Sequence, residues 1–225
     1  MPGSSLNERR KAATRRDIAH TAAALFVEHG LRATRAEDIA RAAGVSPRTF
    51  FRYFATKEES VAPLFTEGTQ RWVDCVRAAP GGLSVVDALI KAADDALDPA
   101  AADGDGDGDG DGDGGVANAE SLEWVRALLR MAEEAPALRS VWNDACFAAE
   151  TALLTVLAER HGVRDTEEAQ ASPGLRLAAA VASTAIRVSV ECWAATDAPA
   201  EGRQGPGALA ARSFESLREF PWSSS

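Results

Sequence analysis

The sequence predicts an all-α protein with a small N-terminal domain of three helices, residues 1–56, and a larger helical bundle, residues 57–225. Apolar residues recur at spacings of three and four along nearly the whole chain, and no stretch has the strict alternation of a half-buried strand. The predicted helices near the N-terminus are short and closely spaced, whereas those further along are long. This change in helix length indicates the division into two domains.

The first two helices are predicted from local start and stop signals. An apolar stripe covers residues 15–29 and ends before Gly30, a residue that readily takes the left-handed conformation that closes helices. Thr34 and Glu37 have the spacing of a capping box, in which a hydroxyl and a carboxylate satisfy the first free N–H groups. They predict a second, short helix that Gly44 ends.

A third helix follows after only two residues. Ser46 is suited to cap it, and Pro47 stands at its first position, where a missing N–H costs little. Two short helices joined by a sharp turn at residues 44–46 are typical of a helix-turn-helix, which exposes its second helix, here residues 47–54, to the major groove of DNA. A helical hairpin in an unrelated bundle would give the same pattern.

The larger domain is predicted to contain six further helices. They cover residues 57–79, 84–97, 120–133, 136–161, 173–196 and 207–219. Between the second and third of these, residues 103–115 consist mainly of six consecutive Asp-Gly units. Glycine gives this segment high conformational entropy and the aspartates repel one another, so it is predicted to be a flexible loop.

Charge is distributed unevenly along the chain. The whole chain has a formal net charge of −10, but residues 1–60 contain eleven Lys and Arg against seven Asp and Glu. The N-terminal segment is therefore basic and the remainder strongly acidic. Such asymmetry favours a polyanionic partner at the N-terminal end only.

Cysteine usage and hydropathy favour a cytoplasmic protein. Cys75, Cys146 and Cys192 are far apart and form no CxxC pair, so we expect reduced, buried thiols rather than disulfides or a metal site. No uninterrupted apolar run reaches the roughly 18–20 residues that span a bilayer, and the polar first sixteen residues lack the core of a signal peptide.

Residues 16–61 resemble the DNA-binding domain of the TetR family of transcriptional regulators. The resemblance covers about a fifth of the chain without gaps. It is carried by Ile18, Ala22, Phe26, Gly30, Thr34, Asp38-Ile39-Ala40, Ala43-Gly44-Val45-Ser46, Thr49-Phe50-Phe51, Tyr53-Phe54 and Lys57-Glu58. It implies a homodimer that binds a near-palindromic operator in double-stranded DNA, with repression expected rather than activation.

Eight residues are predicted to contact DNA. Five of them lie on the third helix, and three of these, Arg48, Thr49 and Arg52, are expected to read bases, since arginine suits guanine and threonine suits the methyl group of thymine. The resemblance places most of the others near the phosphate backbone, and Lys57 is also predicted to open the fourth helix, whose N-terminus favours phosphate. The set is Thr34, Arg35, Arg48, Thr49, Phe51, Arg52, Tyr53 and Lys57.

The sequence departs from the family pattern at two of these positions. The family usually has tyrosine where this chain has Phe51, so a phenolic hydrogen bond to phosphate is missing. Arg35 stands where a second threonine often follows the capping threonine, and it either contacts phosphate or points to solvent. The basic residues between Arg9 and Arg16 form either an arm that reaches the minor groove or a disordered tail.

The resemblance also implies that the larger domain binds a small-molecule effector. Large aromatic and sulfur-containing side chains suit an apolar pocket, although any large helical core contains them. The candidate pocket residues are Trp72, Cys75, Trp124, Met131, Trp142, Cys146 and Trp193. Three arginines could meet an anionic group on the ligand, or could pair with acids and solvent instead. They are Arg126, Arg130 and Arg187.

The predicted dimer interface uses the last long helices. Helix 173–196 is apolar nearly all round and needs cover on both sides, which a core and a second copy of the chain would supply. Phe214, Leu217 and Phe220 are predicted to complete this interface.

Two other functions were weighed from motifs. Asp109, Asp111, Asp113 and Glu120 fit the spacing of an EF-hand calcium loop, but an Asp-Gly repeat satisfies most of that spacing automatically, so we interpret the segment as a disordered insertion rather than a calcium site. No GxSxG, P-loop, GxGxxG or HExxH motif is present, and the three histidines are dispersed. We therefore expect no cofactor and no enzymatic activity.

Overall fold

The computed structural model describes the backbone of residues 6–97 and 114–222, and side chains within 8–97 and 121–222. Regular structure in these ranges is entirely helical. The helices are α1 (Leu6–His29), α2 (Ala36–Ala42), α3 (Pro47–Tyr53), a 3₁₀ turn (Glu59–Val61), α4 (Ala62–Ala78), α5 (Val85–Leu97), α6 (Gly114–Ala132), α7 (Pro136–Arg160), α8 (Thr166–Ala171), α9 (Pro173–Ala194) and α10 (Pro206–Ser216).

Helices α1, α2 and α3 form the N-terminal domain, as predicted. Their apolar faces meet in a small core that includes Ile18, Phe26, Ile39, Phe50 and Phe54, all buried. The predicted start of α1 was wrong, because the helix begins nine residues earlier, at Leu6. Side chains 8–13 are all exposed, so this first part has no buried face and no apolar periodicity to mark it.

The start of α2 also differs from the prediction. Its N-cap is Arg35 rather than Thr34, and the Arg35 N–H donates to a carboxylate oxygen of Asp38 at 3.2 Å. The capping box is therefore displaced by one residue, with Asp38 in the role expected of Glu37. The turns are as predicted: Gly30 and Gly44 have φ of 84° and 67°, the left-handed region that side chains disfavour.

The connection from α3 to the larger domain corrects the predicted fourth helix. Lys57 lies in a turn rather than at a helix start, and α4 begins only at Ala62, after the 3₁₀ turn. Side chains shape this connection: the Ala55 N–H donates to Glu59 at 2.9 Å, and the Ser60 hydroxyl donates to the Lys57 carbonyl at 2.5 Å. Such local bonds compete with a continuous helix.

The larger domain is a bundle in which α4 packs on α5 and α7, α5 on α10, and α9 on both α7 and α10. One apolar core continues from the N-terminal domain into α4, α6, α7 and α9, and a second fills the space between α4, α5, α7, α9 and α10. The first core therefore joins the two domains through packed side chains.

Two side-chain predictions for the larger domain were wrong. Phe214 is fully buried and stacks on Trp72, with ring centroids 6.4 Å apart, while Leu217 and Phe220 pack against the same core. Phe214 is therefore not available to a dimer interface, whereas Leu217 and Phe220 are partly exposed and their place in an interface stays a prediction. All three cysteines are free, as expected, but Cys192 is exposed rather than buried.

Three further predictions concern the loops and the apolar helix. The predicted Asp-Gly loop 103–115 and the calcium-loop residues lie outside the described structure, apart from the backbone from Gly114 onward, where α6 starts earlier than predicted.

The short helix α8 was not predicted. Within the described ranges, α9 is long and apolar enough to cross a membrane by length and composition, but half of that window is buried, as in the core helix of a bundle.

Candidate nucleic-acid interface and ligand cavity

Helix α3 is held by one face and capped at its start. Phe50 is fully buried in the N-terminal core, and the Ser46 hydroxyl accepts the Thr49 N–H at 3.1 Å. The opposite face points outward, with Arg48, Phe51 and Arg52 exposed. The sequence therefore fixes a short helix whose outer face carries two arginines and a ring, a shape and charge suited to a DNA groove.

Two of the predicted contact residues on α3 have neighbours that restrict them. The Thr49 hydroxyl lies 2.9 Å from the Ser46 hydroxyl and is half-buried. The Arg52 guanidinium lies 5.0 Å from the centroid of the half-buried Tyr53 ring, a cation–π contact. Arg48 is exposed.

Lys57 and Thr34 contact each other next to the turn that follows α1. The Lys57 ammonium donates to the carbonyls of Leu31 and Thr34, at 2.5 and 2.8 Å. The Thr34 hydroxyl donates to the carbonyls of Gly30 and Leu25, at 3.0 and 3.2 Å, and Thr34 is only 3% exposed. Thr34 thus stabilises the turn after α1, whereas Arg35 next to it is exposed. Sequence reasoning missed the two Lys57 bonds because they join segments that are distant along the chain.

The basic residues between Arg9 and Arg16 are on α1, so the disordered tail, one of the two alternatives, is wrong for them, and contact with the minor groove stays a prediction. Lys11 pairs with Glu8 at 2.9 Å, and the Arg15 guanidinium lies 5.3 Å from the centroid of the Phe54 ring. Arg16 pairs across the domains with Glu67 of α4 at 2.7 Å. This last contact links the N-terminal domain to the helix that begins the bundle.

The larger domain contains an apolar cavity of about 90 Å³ between α4, α6, α7 and α9. Its walls include Phe65 and Trp142, whose rings meet edge to face at 5.2 Å between centroids, and Trp72. Among the seven predicted pocket residues, Trp72, Trp142 and Cys146 line this cavity. Cys75, Trp124, Met131 and Trp193 lie elsewhere in the packing of the bundle.

Two charged residues that line the cavity, Glu67 and Arg187, have ion-pair partners. Arg187 pairs with Glu191 at 3.0 Å, and the same carboxylate accepts the indole N–H of Trp142 at 2.7 Å. Burial raises the pKa of the Cys146 thiol to about 12, so this lining group is neutral at physiological pH.

The other two candidate arginines have structural partners. Arg126 lies 4.0 Å above the ring of Trp193 and also donates to the Ala198 carbonyl. Arg130 pairs with Asp197 at 2.7 Å and donates to the Ala194 carbonyl, also at 2.7 Å. Both arginines therefore connect α6 to the end of α9 and to the segment after it. Neither lines the cavity.

Residues 18–61 match the family model described as bacterial regulatory proteins, tetR family. Residues 18–61 therefore carry the sequence pattern of the TetR family. The match coincides with α1 to α3 and the 3₁₀ turn, so the segment that carries the helix-turn-helix is also the one that carries the family pattern.

Several curated TetR-family relatives are similar over part of their length. The regulator TcmR of Streptomyces glaucescens is 29% identical over 161 residues, which are 72% of this chain and 66% of TcmR. MftR of Mycobacterium tuberculosis, a putative mycofactocin biosynthesis regulator, is 46% identical over 57 residues, 25% of this chain and 29% of MftR. The repressor KstR2 of the same species is 35% identical over 89 residues, 37% of this chain and 44% of KstR2. The chain thus matches less than two thirds of each relative.

Solved TetR-family structures have the same fold over nearly the whole chain. The fatty acid degradation regulator FadR from Bacillus halodurans is 21% identical, with a TM-score of 0.51, and the match covers 91% of this chain and 94% of that one. A TetR-family protein from Shewanella sp. PV-4 is 19% identical, with a TM-score of 0.50, and covers 92% and 96%. These similarities show that the bundle has the same fold as the larger domain of those structures.

Proposed function

We propose that this TetR-family protein is a cytoplasmic transcriptional repressor that binds a near-palindromic operator as a homodimer and is released by a small molecule. The outward face of α3 is the observation that carries the proposal. This face carries Arg48 and Arg52 on a helix that is capped at its start. The N-terminal domain is basic, whereas the bundle is acidic. Named relatives of this chain are transcriptional regulators, and KstR2 is named as a repressor.

Homodimerisation is supported by an uncovered apolar stripe along α9. At spacings of three and four residues, one side of this helix carries side chains that are exposed or partly exposed, while its other side packs on α7 and α10. This α9 stripe consists of Leu177, Val181, Thr184, Val188 and Cys192. Phe147 of the neighbouring α7 is 69% exposed. A second copy of the chain would cover this surface with twofold symmetry.

Release by a ligand is supported by the position of the cavity. The cavity is lined by residues of α4, the helix that follows the N-terminal domain directly. Glu67 is both a lining residue and the partner of Arg16 on α1. A ligand that favours a different placement of α4 would therefore shift the population towards dimers whose α3 helices no longer match two half-sites.

Selection from a pool of random duplexes, followed by titration, tests DNA binding. We expect the enriched sequences to contain an inverted repeat. Arg48→Ala should lower the preference for the selected duplex over unrelated DNA by about 1–3 kcal/mol, because an arginine that reads a base contributes mainly to specificity. Arg164→Ala removes one exposed arginine from the bundle and is the matched control. An unchanged preference in Arg48→Ala would assign base reading to another residue.

A further inference from the structure

Two cations lie against neighbouring aromatic rings where α1 meets the end of α3. The Arg15 guanidinium, on α1, lies 5.3 Å from the centroid of the Phe54 ring, and the Arg52 guanidinium, on α3, lies 5.0 Å from that of Tyr53. The two ring centroids are 6.4 Å apart, and both arginines are exposed. The rings therefore hold one cation from each helix at the surface of the N-terminal domain.

Lys11 is a third cation at this place. It is exposed and precedes Arg15 by about one turn of α1. Its ammonium donates to Glu8 at 2.9 Å, and this bond is the largest cause that raises the pKa of Lys11. Tyr53 raises the same pKa electrostatically and Arg52 lowers it, as expected for a second cation close by. Lys11, Arg15 and Arg52 thus form a cluster of cations that joins α1 to α3.

The side of α1 that carries Lys11 and Arg15 is the one that is buried further along the helix. These two residues and Ile18, Ala22 and Phe26 follow one another at spacings of four, three, four and four, which place all five on one side. The last three are fully buried in the N-terminal core. Their packing fixes the orientation of α1, and with it the side on which Lys11 and Arg15 lie.

A polyanion is the partner that this cation cluster favours. Positive charges held close together repel one another, and negative charge brought to them relieves the repulsion. Each strand of duplex DNA carries a phosphate charge about every 3.4 Å along the helix axis, so one strand can meet several of these cations. The proposed function already places DNA on the outward face of α3, to which Arg52 belongs.

The helical conformation of this segment determines which part of DNA its side chains reach. An α-helix with its side chains is about 10–12 Å wide, whereas the minor groove of B-DNA is about 6 Å wide. Residues 6–16 are helical and so do not fit into that groove as an extended chain would. The helix therefore favours the phosphates at the edge of a groove over the minor-groove contact weighed from the sequence.

We infer that Lys11 and Arg15 bind phosphates of the same DNA duplex whose major groove receives α3. This inference rests on the proposed DNA-binding function and adds the N-terminal turns of α1 to the interface. Both residues precede the segment that matches the family model, residues 18–61, so the family pattern assigns them no role. Contacts of this kind position a protein on DNA but carry no sequence information directly.

The salt dependence of binding tests the inference on the full-length protein. The logarithm of affinity for a duplex falls with the logarithm of salt concentration, with a slope of about 0.9 for each phosphate that the protein neutralises. Each residue occurs twice in a dimer, so Lys11→Ala and Arg15→Ala should each make this slope shallower by about 2. Affinity for the selected duplex and for unrelated DNA should fall by the same factor, on the order of ten-fold at physiological salt.

Two further variants serve as matched controls. Arg10 is exposed on another side of the same helix, so Arg10→Ala removes the same charge from α1 and should leave the slope nearly unchanged. Arg15→Lys keeps the charge but loses the planar group that lies on Phe54. It should retain the wild-type slope, which separates the loss of a phosphate contact from the loss of packing.

Duplexes in which one phosphate is replaced by a neutral methylphosphonate locate the contacts. A replacement at a contacted phosphate should weaken binding of the wild-type protein. The same replacement should cause no further loss in the variant that lacks the partner of that phosphate, because the two changes remove one interaction.

The outcome separates this inference from the proposed function. The inference is overturned if Lys11→Ala or Arg15→Ala has the slope of Arg10→Ala, or if no methylphosphonate is coupled to either residue. It is also overturned if either variant changes the ratio of affinities for selected and unrelated DNA, since the residue would then read bases. If the protein selects an inverted repeat but these tests fail, only the inference fails. If the slopes change as expected but no sequence is selected, the phosphate contacts stand and the operator-binding repressor fails.

Discussion

Three exposed residues of α3, Arg48, Phe51 and Arg52, differ in the contact that each can make with DNA. Arg48 carries a fork of N–H donors that matches the two acceptors of guanine in the major groove. The Arg52 guanidinium already lies against the Tyr53 ring, which restricts its reach. Phe51 is 50% exposed, but its side chain is a ring without a hydrogen-bonding group. We therefore propose that specificity on this face depends mainly on Arg48 and that phosphate anchoring is weakest at Phe51.

Phe51→Tyr should strengthen binding to DNA in general. The added hydroxyl extends from a half-exposed ring at the position where the family usually has tyrosine, so it can donate to a phosphate without disturbing the buried Phe50. Affinity for the selected duplex and for unrelated DNA should rise by the same factor, roughly two- to ten-fold. Fluorescence anisotropy with both duplexes measures this. A change in the ratio of the two affinities would mean that residue 51 reads bases.

At the scale of elements, the helix-turn-helix was predictable because its signals are local. Gly30, Gly44, Ser46 and Pro47 each act within one helical turn, and the structure places each in the predicted role. The start of α4 was not predictable in this way. Lys57 donates to carbonyls more than twenty residues away, and such long-range bonds leave no periodic pattern in the sequence.

Sequence reasoning identified the pocket only in part, for a related reason. Trp72, Trp142 and Cys146 line the cavity, but residue type alone does not tell which side of a fully buried helix faces a void. Trp193 shows the difficulty: it is as large and as buried as Trp72, yet its ring supports Arg126 and its N–H is satisfied. Phe65 and Glu67 would have been found only from the packing of α4 against α7.

The cap of α3 provides a test that separates stability from DNA binding. Ser46→Ala removes the acceptor of the Thr49 N–H and should lower the free energy of unfolding by about 1 kcal/mol. Ser46→Asp keeps a good cap and should retain stability, but its charge would face phosphate and weaken DNA binding. Urea denaturation and DNA titration measure the two effects. Equal stability of wild type and Ser46→Ala would show that the Ser46 cap contributes little.

At the scale of the whole molecule, two domains of opposite charge share one apolar core. Ile18 and Phe26 of α1 belong to the same buried cluster as Trp142 and Trp193 of the bundle. The Arg16–Glu67 pair lies on the surface of this junction, where an exposed ion pair contributes about 1 kcal/mol or less. Coupling between the cavity and the DNA-binding face is therefore expected to depend on the packed core, with the ion pair as a minor contribution.

The α9 stripe leads to a prediction about the assembly. Val188 is 42% exposed on this stripe, and Val188→Glu would bring two carboxylates into an apolar twofold interface, where desolvation and repulsion oppose association. We expect the sedimenting species to change from a dimer to a single chain of 23.7 kDa. Operator affinity should fall as well, because single chains read half-sites separately.

Val27→Glu is the matched control for this experiment, because Val27 is 50% exposed on α1, away from the bundle. The same valine-to-glutamate change there should leave the dimer intact, so that a general effect of the added charge is distinguished from an effect on the interface. Since the inward side of α9 stays packed on α7 and α10, Val188→Glu should keep its helical circular dichroism. A Val188→Glu protein that remains a dimer would place the interface away from the α9 stripe, leaving its exposed apolar side chains without the partner proposed for them.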